Sequence, residues 1–210
     1  MELVEAQTLG EAWLEISRRI VETGAEAAYD GLATRELTLV TLRVASPDPG
    51  DNLIASLADP DWLDWMRRNF TEPDDVPELG GARSYARRLR DRDGRDQLAW
   101  VVERLRANRE ARDATITTLE PATDTTYVPC VSLLDFWLPD GRLELVVYAH
   151  SLDFGKKAYG NLVELAPLLE QVAGELGVPL GRLVIHAKSS HVYEPELELM
   201  ERLARIAGPA

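Results

Sequence analysis

The stretch Tyr127-Val-Pro-Cys-Val-Ser-Leu-Leu-Asp-Phe-Trp137, together with the residues that follow it, predicts a β-hairpin. Pro139-Asp-Gly141 joins it to a second apolar run, Arg142-Leu-Glu-Leu-Val-Val-Tyr-Ala-His150. An Asp-Gly pair between two such runs favours a tight turn, because glycine tolerates a positive φ. We therefore expect strands over residues 127–138 and 142–150, with a third strand over 114–120 just before them.

Helical and extended patterns alternate unevenly around this hairpin. Thr8-x-x-Glu11 is a capping-box pattern, after which apolar residues recur at helical spacing until Gly24. The same reasoning predicts strands over 36–44 and 182–188, and helices over 53–70 (interrupted near Pro60), 96–108, 158–176 and from Glu194 onward. The pattern predicts a single α+β domain over 1–210, with a central mixed or antiparallel sheet flanked by helices. Residues 71–82, rich in proline, glycine and acids, are expected to form a flexible loop.

The composition argues against several classes of function. The chain has 36 acidic and 23 basic residues and a formal charge of −13, so it would repel a nucleic-acid backbone. The sequence begins without the basic region and apolar run of a signal peptide, and no apolar stretch is long enough to span a membrane. We therefore expect a cytoplasmic protein with neither a nucleic-acid polymer nor a membrane as a partner. The single cysteine, Cys130, argues against a disulfide framework and a multi-cysteine metal site, and we expect no metal.

Several polar residues follow Cys130 at spacings that form one pattern, P-C-x19-H-S-x-D-x7-N-x29-H-x-Y. Its members after Pro129 are Cys130, His150, Ser151, Asp153, Asn161, His191 and Tyr193. Taken singly, each has an ordinary structural explanation. A lone cysteine in an apolar strand is usually an inert small side chain, Asn161 falls near the start of a helix, and His191 could cap the last helix. Taken together, they include a thiol nucleophile and the polar groups that would orient a substrate.

This pattern resembles that of the thymidylate synthase family, P-C-x19-R-S-x-D-x7-N-x29-H-x-Y, which has the same Asp-Gly turn between the two strands. The segment Asn108-Arg-Glu-Ala-Arg-Asp113 resembles the family's N-P-x-S-R-R, and Tyr85-Ala-Arg-Arg88 resembles its Y-G-x-R/Q. The resemblance covers residues 85–200 well and the preceding residues weakly. It implies a thymidylate-synthase-like fold and a homodimer that forms through the sheet.

The resemblance also implies a nucleophile and its substrate. In this family, the cysteine thiolate adds to carbon 6 of a uracil ring, so that carbon 5 attacks a one-carbon unit carried by 5,10-methylenetetrahydrofolate. Cys130 matches this nucleophile, and Tyr85 matches the tyrosine that supports removal of the proton from carbon 5. A thiolate needs a positive charge nearby, and Arg112 is the best candidate, supplied by the partner subunit if the family's dimer is kept.

The remaining members of the pattern match residues that bind the two ligands. Asn161 matches the amide that reads the edge of the pyrimidine and so counts with both the catalytic and the substrate-binding residues. His191 and Tyr193 match the pair that holds the sugar hydroxyl, and Ser151 matches a hydroxyl that contacts the phosphate. Asp153 matches the acid that anchors the pterin ring.

The sequence departs from the family pattern where the family binds phosphate. His150 replaces the arginine of the R-S pair, and Asp113 replaces the second arginine of the R-R pair. Arg35 is the one arginine near the family's N-terminal phosphate contact, and it is out of register. Each charge-assisted hydrogen bond contributes about 1.5–3 kcal/mol, so we expect affinity for a 5′-phosphate to fall by orders of magnitude and Asp113 to repel a phosphate.

Further departures fall on the folate side. Lys157 replaces a glycine of the pterin loop, where it would obstruct or reshape the folate site, or bind, with Lys156, a glutamate tail or a different pterin. Gly160 stands where the family has an aromatic residue. The 19 residues after His191 are too few for the family's closing tail. The glutamate of the family's E-L-x-W-F segment has no clean match, and Asp61 or Asp64 is the nearest acid.

These observations lead to one principal hypothesis and two alternatives. The principal one is a divergent methyl or hydroxymethyl transferase that acts on a pyrimidine-type small molecule other than plain deoxyuridylate. The first alternative is a non-catalytic paralogue that acts as a binding or regulatory protein. A cysteine-dependent hydrolase with His150 or His191 as its base has little support, since no nucleophile-elbow pattern surrounds Cys130.

Overall fold

The computed structural model describes residues 2–73, 76–124 and 127–207. The strands are β1 Glu2–Ala6, β2 Ala25–Tyr29, β3 Leu32–Val44, β4 Thr115–Thr117, β5 Val131–Trp137, β6 Leu143–Ala149, β7 Leu152–Asp153 and β8 Leu180–Tyr193. The helices are α1 Leu9–Thr23, α2 Asn52–Leu57, α3 Pro60–Thr71, α4 Tyr85–Arg90, α5 Gln97–Ala107, α6 Ala158–Leu176 and α7 Leu197–Ala207.

These strands form a single mixed sheet, as the sequence predicts. Its order is β1-β3-β8-β6-β5-β4, with β2 paired to β3 and β7 paired to β8. The β5–β6 hairpin is antiparallel, and its turn contains Asp140 at φ 55° and Gly141 at φ 77°. By contrast, β6 and β8 lie side by side in parallel, as do β7 and β8. Parallel neighbours place their carboxyl ends at the same edge of the sheet, and this arrangement positions the candidate site.

Helices α1 and α6 cover one face of the sheet. The predicted capping box begins α1, with the Thr8 side chain accepting from the Glu11 amide and the Glu11 carboxylate accepting from the backbone of Thr8. The apolar side of α1 is buried against β3 and β8, while α6 packs on β6 and β8. The indole Nε1 of Trp13 donates to the carbonyl of Phe154 at 3.0 Å. This bond ties α1 to the loop after β7, beside the candidate site.

On the opposite face of the sheet, none of the described helices packs over the central strands β6 and β8. Tyr148 and His186 are paired across β6 and β8 and are both exposed there, and Trp137 on β5 is 40% exposed. Thr41 on β3 extends the same row, because it also pairs with His186. This uncovered face therefore presents aromatic side chains to its surroundings.

Several elements differ from the sequence prediction. β1 and β2 were not predicted, and β8 runs to Tyr193 instead of ending near 188. The prediction that His191 could cap the last helix is therefore wrong, because His191 lies inside β8 and the helix begins only at Leu197. The predicted strands 114–120 and 127–138 are shorter in the structure, where they are β4 and β5.

The segment 71–82 contains more ordered packing than a loop prediction conveys. Pro77–Leu79 forms a 3-10 turn, and both Val76 and Leu79 are buried in the core. Asp74 and Asp75 lie outside the described residues, and the flexibility of this segment stays a prediction. None of the described helices combines the length and apolar character needed to cross a membrane.

Candidate active site

The pattern residues meet at the carboxyl ends of the parallel strands β6, β7 and β8. His150 and Ser151 follow β6, Asp153 ends β7, and His191 is opposite Asp153 in the register of β8. The loop after β7 is fixed to β8 by a hydrogen bond from the Phe154 amide to the His191 carbonyl at 2.8 Å. The sheet topology thus brings together residues that are far apart in the sequence.

Cys130 lies immediately before β5, where two other elements hold its backbone. Its carbonyl accepts a hydrogen bond from the His150 amide at 3.1 Å. The amide of the next residue, Val131, donates to the phenolic oxygen of Tyr85 at 2.9 Å. Tyr85 is itself buried and stacked on Phe70, with ring centroids 4.3 Å apart. The thiol is therefore carried on a fixed backbone and remains half-buried.

The charges around Cys130 act on its thiol in opposite directions. Burial raises the pKa of Cys130, the Lys157 ammonium counteracts that rise, and the Asp153 carboxylate adds to it. Burial and the charge of a Cys130 thiolate also raise the pKa of both Tyr85 and Tyr127. Cys130 and Tyr85 are thus near neighbours, and the protonated thiol is the favoured resting form.

His191 has one ring nitrogen that is buried and free. Its Nδ1 lies 3.4 Å from the hydroxyls of Ser151 and Ser189, whereas Nε2 has no partner among the described residues. Burial lowers the pKa of His191, with Lys157 contributing in the same direction. The ring contacts Tyr193 edge-on, with centroids 5.0 Å apart. Burial raises the pKa of Tyr193 to about 12. His191 and Tyr193 can therefore offer a neutral imidazole and a neutral phenol to a ligand hydroxyl.

Asn161 also has an unused polar atom. Its Nδ2 donates to the carbonyl of Lys157 at 3.1 Å, within the first turn of α6. Its Oδ1 is buried without a hydrogen-bond partner in the part of the chain that the structure describes. A buried carbonyl oxygen left unpaired is costly, so this acceptor is available to a ring N–H of a ligand.

The pKa of the Asp153 carboxyl is raised although a lysine lies nearby. Burial raises its pKa to about 6, against the effects of Lys157 and of the Gly155 amide, which donates to Oδ1 at 3.0 Å. Gly155 is required here because a Cβ would lie 2.9 Å from the Cβ of Glu196. Near neutral pH, Asp153 is therefore close to exchanging its proton, which suits a group that both donates and accepts hydrogen bonds.

Lys157 lies over two indole rings that sequence analysis did not assign to the site. Its Nζ is 5.3 Å from the ring centre of Trp62 and 5.4 Å from that of Trp65. The two indoles are themselves in edge-to-face contact, with centroids 5.7 Å apart. Their separation of three residues on α3 places them on one helix face, and this spacing was the signal available in the sequence.

The two acidic residues next to these tryptophans, Asp61 and Asp64, lie on the exposed surface of α3. Asp64 is half-exposed and pairs with Arg67 at 2.5 Å and Arg68 at 3.2 Å on the surface of α3. Asp61 is exposed in the first turn of the same helix. The structure therefore supports neither acid as the counterpart of the family's glutamate.

Within the described part of this single chain, neither Arg35 nor Arg112 is bonded to the cluster, and a contribution of Arg112 from a partner subunit stays a prediction. Arg35 donates to the carbonyl of Val21 at 2.8 Å. Arg112 is exposed and makes no hydrogen bond or ion pair within residues 2–73, 76–124 and 127–207. Asp113 forms a two-point ion pair with Arg104, both contacts at 2.8 Å, so its charge is largely matched.

A small cavity of about 180 Å³ lies beside the predicted substrate residues. His150, Ser151 and His191 line it, together with residues that sequence analysis did not assign, among them Tyr29, Glu36 and Lys188. The His150 Nδ1 lies 3.2 Å from the Ser132 hydroxyl, and burial lowers its pKa, with the Lys188 ammonium contributing. The cavity therefore contains a neutral His150 and charges of both signs. No group of three His, Cys, Asp or Glu side chains within the described ranges is arranged to hold a metal ion.

The mixed sheet and the polar cluster at its strand ends define an α+β protein with a half-buried thiol beside groups suited to a heterocyclic ligand. The profile of the thymidylate synthase family matches residues 50–208. The chain is 32% identical to a protein of Methanothermobacter marburgensis named "Putative thymidylate synthase", over 91% of this chain and 92% of that protein. A protein of the same name from Methanothermobacter thermautotrophicus is 31% identical over 96% and 98% of the two chains.

A deoxyuridylate hydroxymethyltransferase of Bacillus phage SP01 is 36% identical over 47% of this chain and 27% of its own length. The chain belongs to the thymidylate synthase family.

Proposed function

We propose that this protein is a one-carbon transferase in which the Cys130 sulfur attacks a pyrimidine-type ring. The observation that carries the proposal is the position of Cys130. Its half-buried sulfur belongs to a residue whose carbonyl is bonded to His150, at the sheet edge where Asn161 and His191 have buried polar atoms with no partner among the described residues. A folded chain does not leave such atoms unpaired without cost, so a ligand that satisfies them would stabilise the protein.

The proposed reaction begins when the Cys130 sulfur gives up its proton and forms a bond to carbon 6 of the ring. The π electrons between carbons 5 and 6 move toward the ring carbonyl and make carbon 5 nucleophilic. Carbon 5 then bonds to an electrophilic one-carbon unit and loses its own proton. The nitrogen that carried the one-carbon unit would then leave with its bonding electron pair. Addition of a hydride from the reduced donor (methyl product) or of water, which loses a proton (hydroxymethyl product), to that carbon would be accompanied by breaking of the sulfur–carbon bond, which restores the ring double bond and releases the thiolate. Tyr85, fixed by Val131, supports the step in which the carbon 5 proton leaves.

The binding residues have complementary tasks in this scheme. The free Oδ1 of Asn161 would accept a hydrogen bond from a ring N–H of a uracil-type edge. The free Nε2 of His191 and the phenol of Tyr193 would hold a sugar hydroxyl. His191 Nδ1 is already oriented by Ser151 and Ser189, so its ring is presented in one plane. These contacts would place the reacting ring carbon against the thiol.

The donor side of the site is suited to a reduced pterin. The thymidylate synthase family uses methylenetetrahydrofolate, which supplies the one-carbon unit when bound. Asp153 is buried and has a pKa near 6, so its carboxyl can both donate and accept hydrogen bonds at a pterin edge. Trp62 and Trp65 provide aromatic surface for a pterin ring. The Lys157 ammonium lies over both indoles and leaves less of that surface open to a ligand. We therefore propose that Lys157 contacts the donor.

The charges of the site favour a substrate without a 5′-phosphate. Arg35 is bonded to the backbone of Val21, His150 has a lowered pKa, and Glu36 lines the cavity next to Lys188. Among the described residues that line this cavity, Lys188 is therefore the one lysine or arginine, and the Glu36 carboxylate opposes it. A phosphate dianion would gain little net attraction there, whereas a neutral sugar could bond to Glu36 and His191.

We also propose that the uncovered sheet face is the homodimer interface. It carries Tyr148, Trp137 and His186 at the centre of the sheet, and the helices pack on the other side. A second copy is the occupant that the family resemblance implies, and it would bring Arg112 of the partner subunit toward the site. We expect Tyr148→Glu to convert a dimer into a folded monomer in sedimentation experiments, with Leu3→Glu at an edge strand as the control. A wild-type chain that sediments as a monomer at all concentrations would exclude this interface.

Release of tritium from carbon 5 of a labelled pyrimidine tests the function directly. We would compare uracil, deoxyuridine and deoxyuridylate, each with and without methylenetetrahydrofolate. We expect release with an uncharged substrate and at least ten-fold less with deoxyuridylate, with Cys130→Ala abolishing it. Ordinary turnover of deoxyuridylate would refute the substrate assignment. Binding of a pyrimidine without release would favour the non-catalytic paralogue.

A further inference from the structure

Two side chains of opposite charge line the cavity beside His191. They are Glu36 and Lys188. Neither of them forms an ion pair or a side-chain hydrogen bond with any of the described residues. Elsewhere on β8, by contrast, Arg182 is paired with Glu144 at 2.5 Å. The cavity therefore contains an anion and a cation that the described part of the chain leaves without partners.

The register of the sheet fixes where these two charges lie. Glu36 on β3 is the antiparallel partner of His191 on β8, so their Cβ atoms lie about 4.5–5.5 Å apart on one face of the sheet. Lys188 and His150 come directly after the last registered residues of the parallel strands β8 and β6. Burial and the Lys188 ammonium both lower the pKa of His150. The carboxylate and the ammonium thus occupy different positions along the wall of one cavity.

A third polar group of this wall is buried. His191 is 5% exposed, and its Nε2 has no partner among the described residues, whereas its Nδ1 lies 3.4 Å from the Ser189 hydroxyl. The ring of Tyr29 bounds the cavity from β2, with its centroid 6.3 Å from that of His191. A buried ring nitrogen without a partner is costly. We therefore expect a ligand atom at this position.

Unpaired charges of both signs in one cavity discriminate between classes of ligand. A phosphate would be attracted by Lys188 and repelled by Glu36, and a simple cation would meet the reverse. An uncharged sugar can form a hydrogen bond with Glu36 but compensates neither charge. A group with one ammonium and one carboxylate would compensate both, through charge-assisted hydrogen bonds. The cavity of about 180 Å³ has room for such a group, since one water takes up about 30 Å³ of liquid.

We propose that this cavity binds a zwitterionic group of the kind that an α-amino acid carries, with its ammonium at Glu36 and its carboxylate at Lys188. His191 Nε2 supplies a third contact. The inference rests on the proposed function and makes its substrate more specific: a pyrimidine whose substituent has no net charge but carries one charge of each sign. A free α-amino acid has the same chemistry, and the experiment distinguishes the two sources.

Isothermal titration calorimetry with three uracil derivatives tests the assignment without any one-carbon donor. Each derivative is substituted at the ring nitrogen that bears the sugar in a nucleoside. Uracilylalanine carries both charges, uracilylpropanoate only the carboxylate, and uracilylpropylamine only the ammonium. We expect uracilylalanine to bind about ten-fold more tightly than either of the others, because each of them lacks one charge-assisted contact.

Two variants assign the two contacts. Glu36→Gln should weaken the binding of uracilylalanine about ten-fold without weakening that of uracilylpropanoate. Lys188→Gln should weaken it by a similar factor without weakening that of uracilylpropylamine. Glu26→Gln is the matched control, because it removes an exposed carboxylate of β2 that is not among the residues lining this cavity. It should change each affinity by less than about two-fold, since solvent screens an exposed charge.

Two results would overturn the inference. One is equal binding of the three derivatives by the wild-type protein, a comparison that needs no variant to fold. The other is an unchanged affinity for uracilylalanine in either folded variant, with folding established by circular dichroism. L-Alanine is titrated separately, and binding of it that depends on both Glu36 and Lys188 would support the inference with a free amino acid as the occupant.

The same titrations separate this inference from the proposed function. If deoxyuridine binds and neither uracilylalanine nor L-alanine does, the inference fails and the proposed function stands. If L-alanine binds and no pyrimidine does, the inference stands and the proposed function fails. Absence of binding by every compound would overturn both.

Discussion

Asp153 shows how a single side chain can serve a site at the expense of stability. Its pKa is raised to about 6 from an ordinary value of 3.8, so the folded protein holds a proton that the unfolded chain has already lost in that range. The carboxyl therefore contributes most to stability below pH 3.8, and that contribution is lost as the pH rises through 6. At neutral pH the buried carboxylate destabilises the fold.

We expect Asp153→Asn to stabilise the protein above pH 6. The gain in the free energy of unfolding should be small near pH 4, grow up to pH 6 and then level off at about 2–3 kcal/mol. Urea titrations at pH 4, 5.5 and 7.5 measure this dependence, while tritium release should fall in the same variant. A pH-independent difference would show that Asp153 has an ordinary pKa.

At the residue scale, spacing along the sequence predicted which residues lie together but not which contacts they make, and the roles of the site residues stay predictions. The spacing of Cys130, Asp153 and His191 predicted that they belong together, and the structure brings them to one sheet edge. Nothing local could predict that Asp113 is matched by Arg104, nine residues away. The role of Trp62 depends on the path of the Lys157 side chain across two helices, and this is a tertiary property.

The elements that meet near Glu196 show why a glycine is needed after β7. A Cβ on Gly155 would lie 2.9 Å from the Glu196 Cβ, in the turn that precedes α7. Gly174, inside α6, has open space where its Cβ would be. Similar substitutions at the two glycines should therefore have opposite effects.

We expect Gly155→Ala to destabilise the protein by about 1–3 kcal/mol, because the loop that carries Asp153 must shift. Gly174→Ala should instead stabilise α6 by about 0.5–1 kcal/mol. Thermal unfolding of both variants checks the pair. A neutral Gly155→Ala would indicate that the β7 loop and the start of α7 yield easily to each other.

At the element scale, helices and turns with a strong local sequence pattern were predicted, whereas strands without one were missed. The capping box predicted the start of α1, and Asp140-Gly141 predicted the β5–β6 turn; the structure contains both. β2 lacked a signal because all of its residues but one are exposed, which leaves no alternation of apolar and polar positions to detect. The parallel pairing of β6 with β8 joins strands that are separated in the sequence by α6. Its register therefore depends on how α6 packs, and no local sequence pattern predicts it.

At the scale of the whole molecule, a buried ion pair links α4 to the segment before β5. Arg88 is 1% exposed and bonds to Asp124 through both terminal nitrogens, at 3.0 and 2.7 Å. Its guanidinium also donates to the carbonyls of Thr118 and Arg83. The chain from Thr118 to Asp124 leads toward Cys130, so this network supports the backbone that presents the thiol.

We expect Arg88→Met to destabilise the protein by about 3–5 kcal/mol, because it leaves the Asp124 carboxylate buried and unpaired. Arg104→Met, which breaks the exposed pair with Asp113, should change the free energy of unfolding little, because solvent screens that pair. Chemical denaturation separates the two. Similar losses in both variants would contradict the view that burial sets the cost.

Tyr85 reaches across 46 residues of sequence to bond the amide beside Cys130. The single thiol of the sequence is thus held in place only after α4 has packed against the start of β5. A brief exposure to an alkylating reagent during refolding would modify chains in which this junction is still open faster than folded chains, in which the thiol is half-buried. The fraction of alkylated Cys130, measured by mass spectrometry at successive refolding times, would therefore report how fast this junction forms.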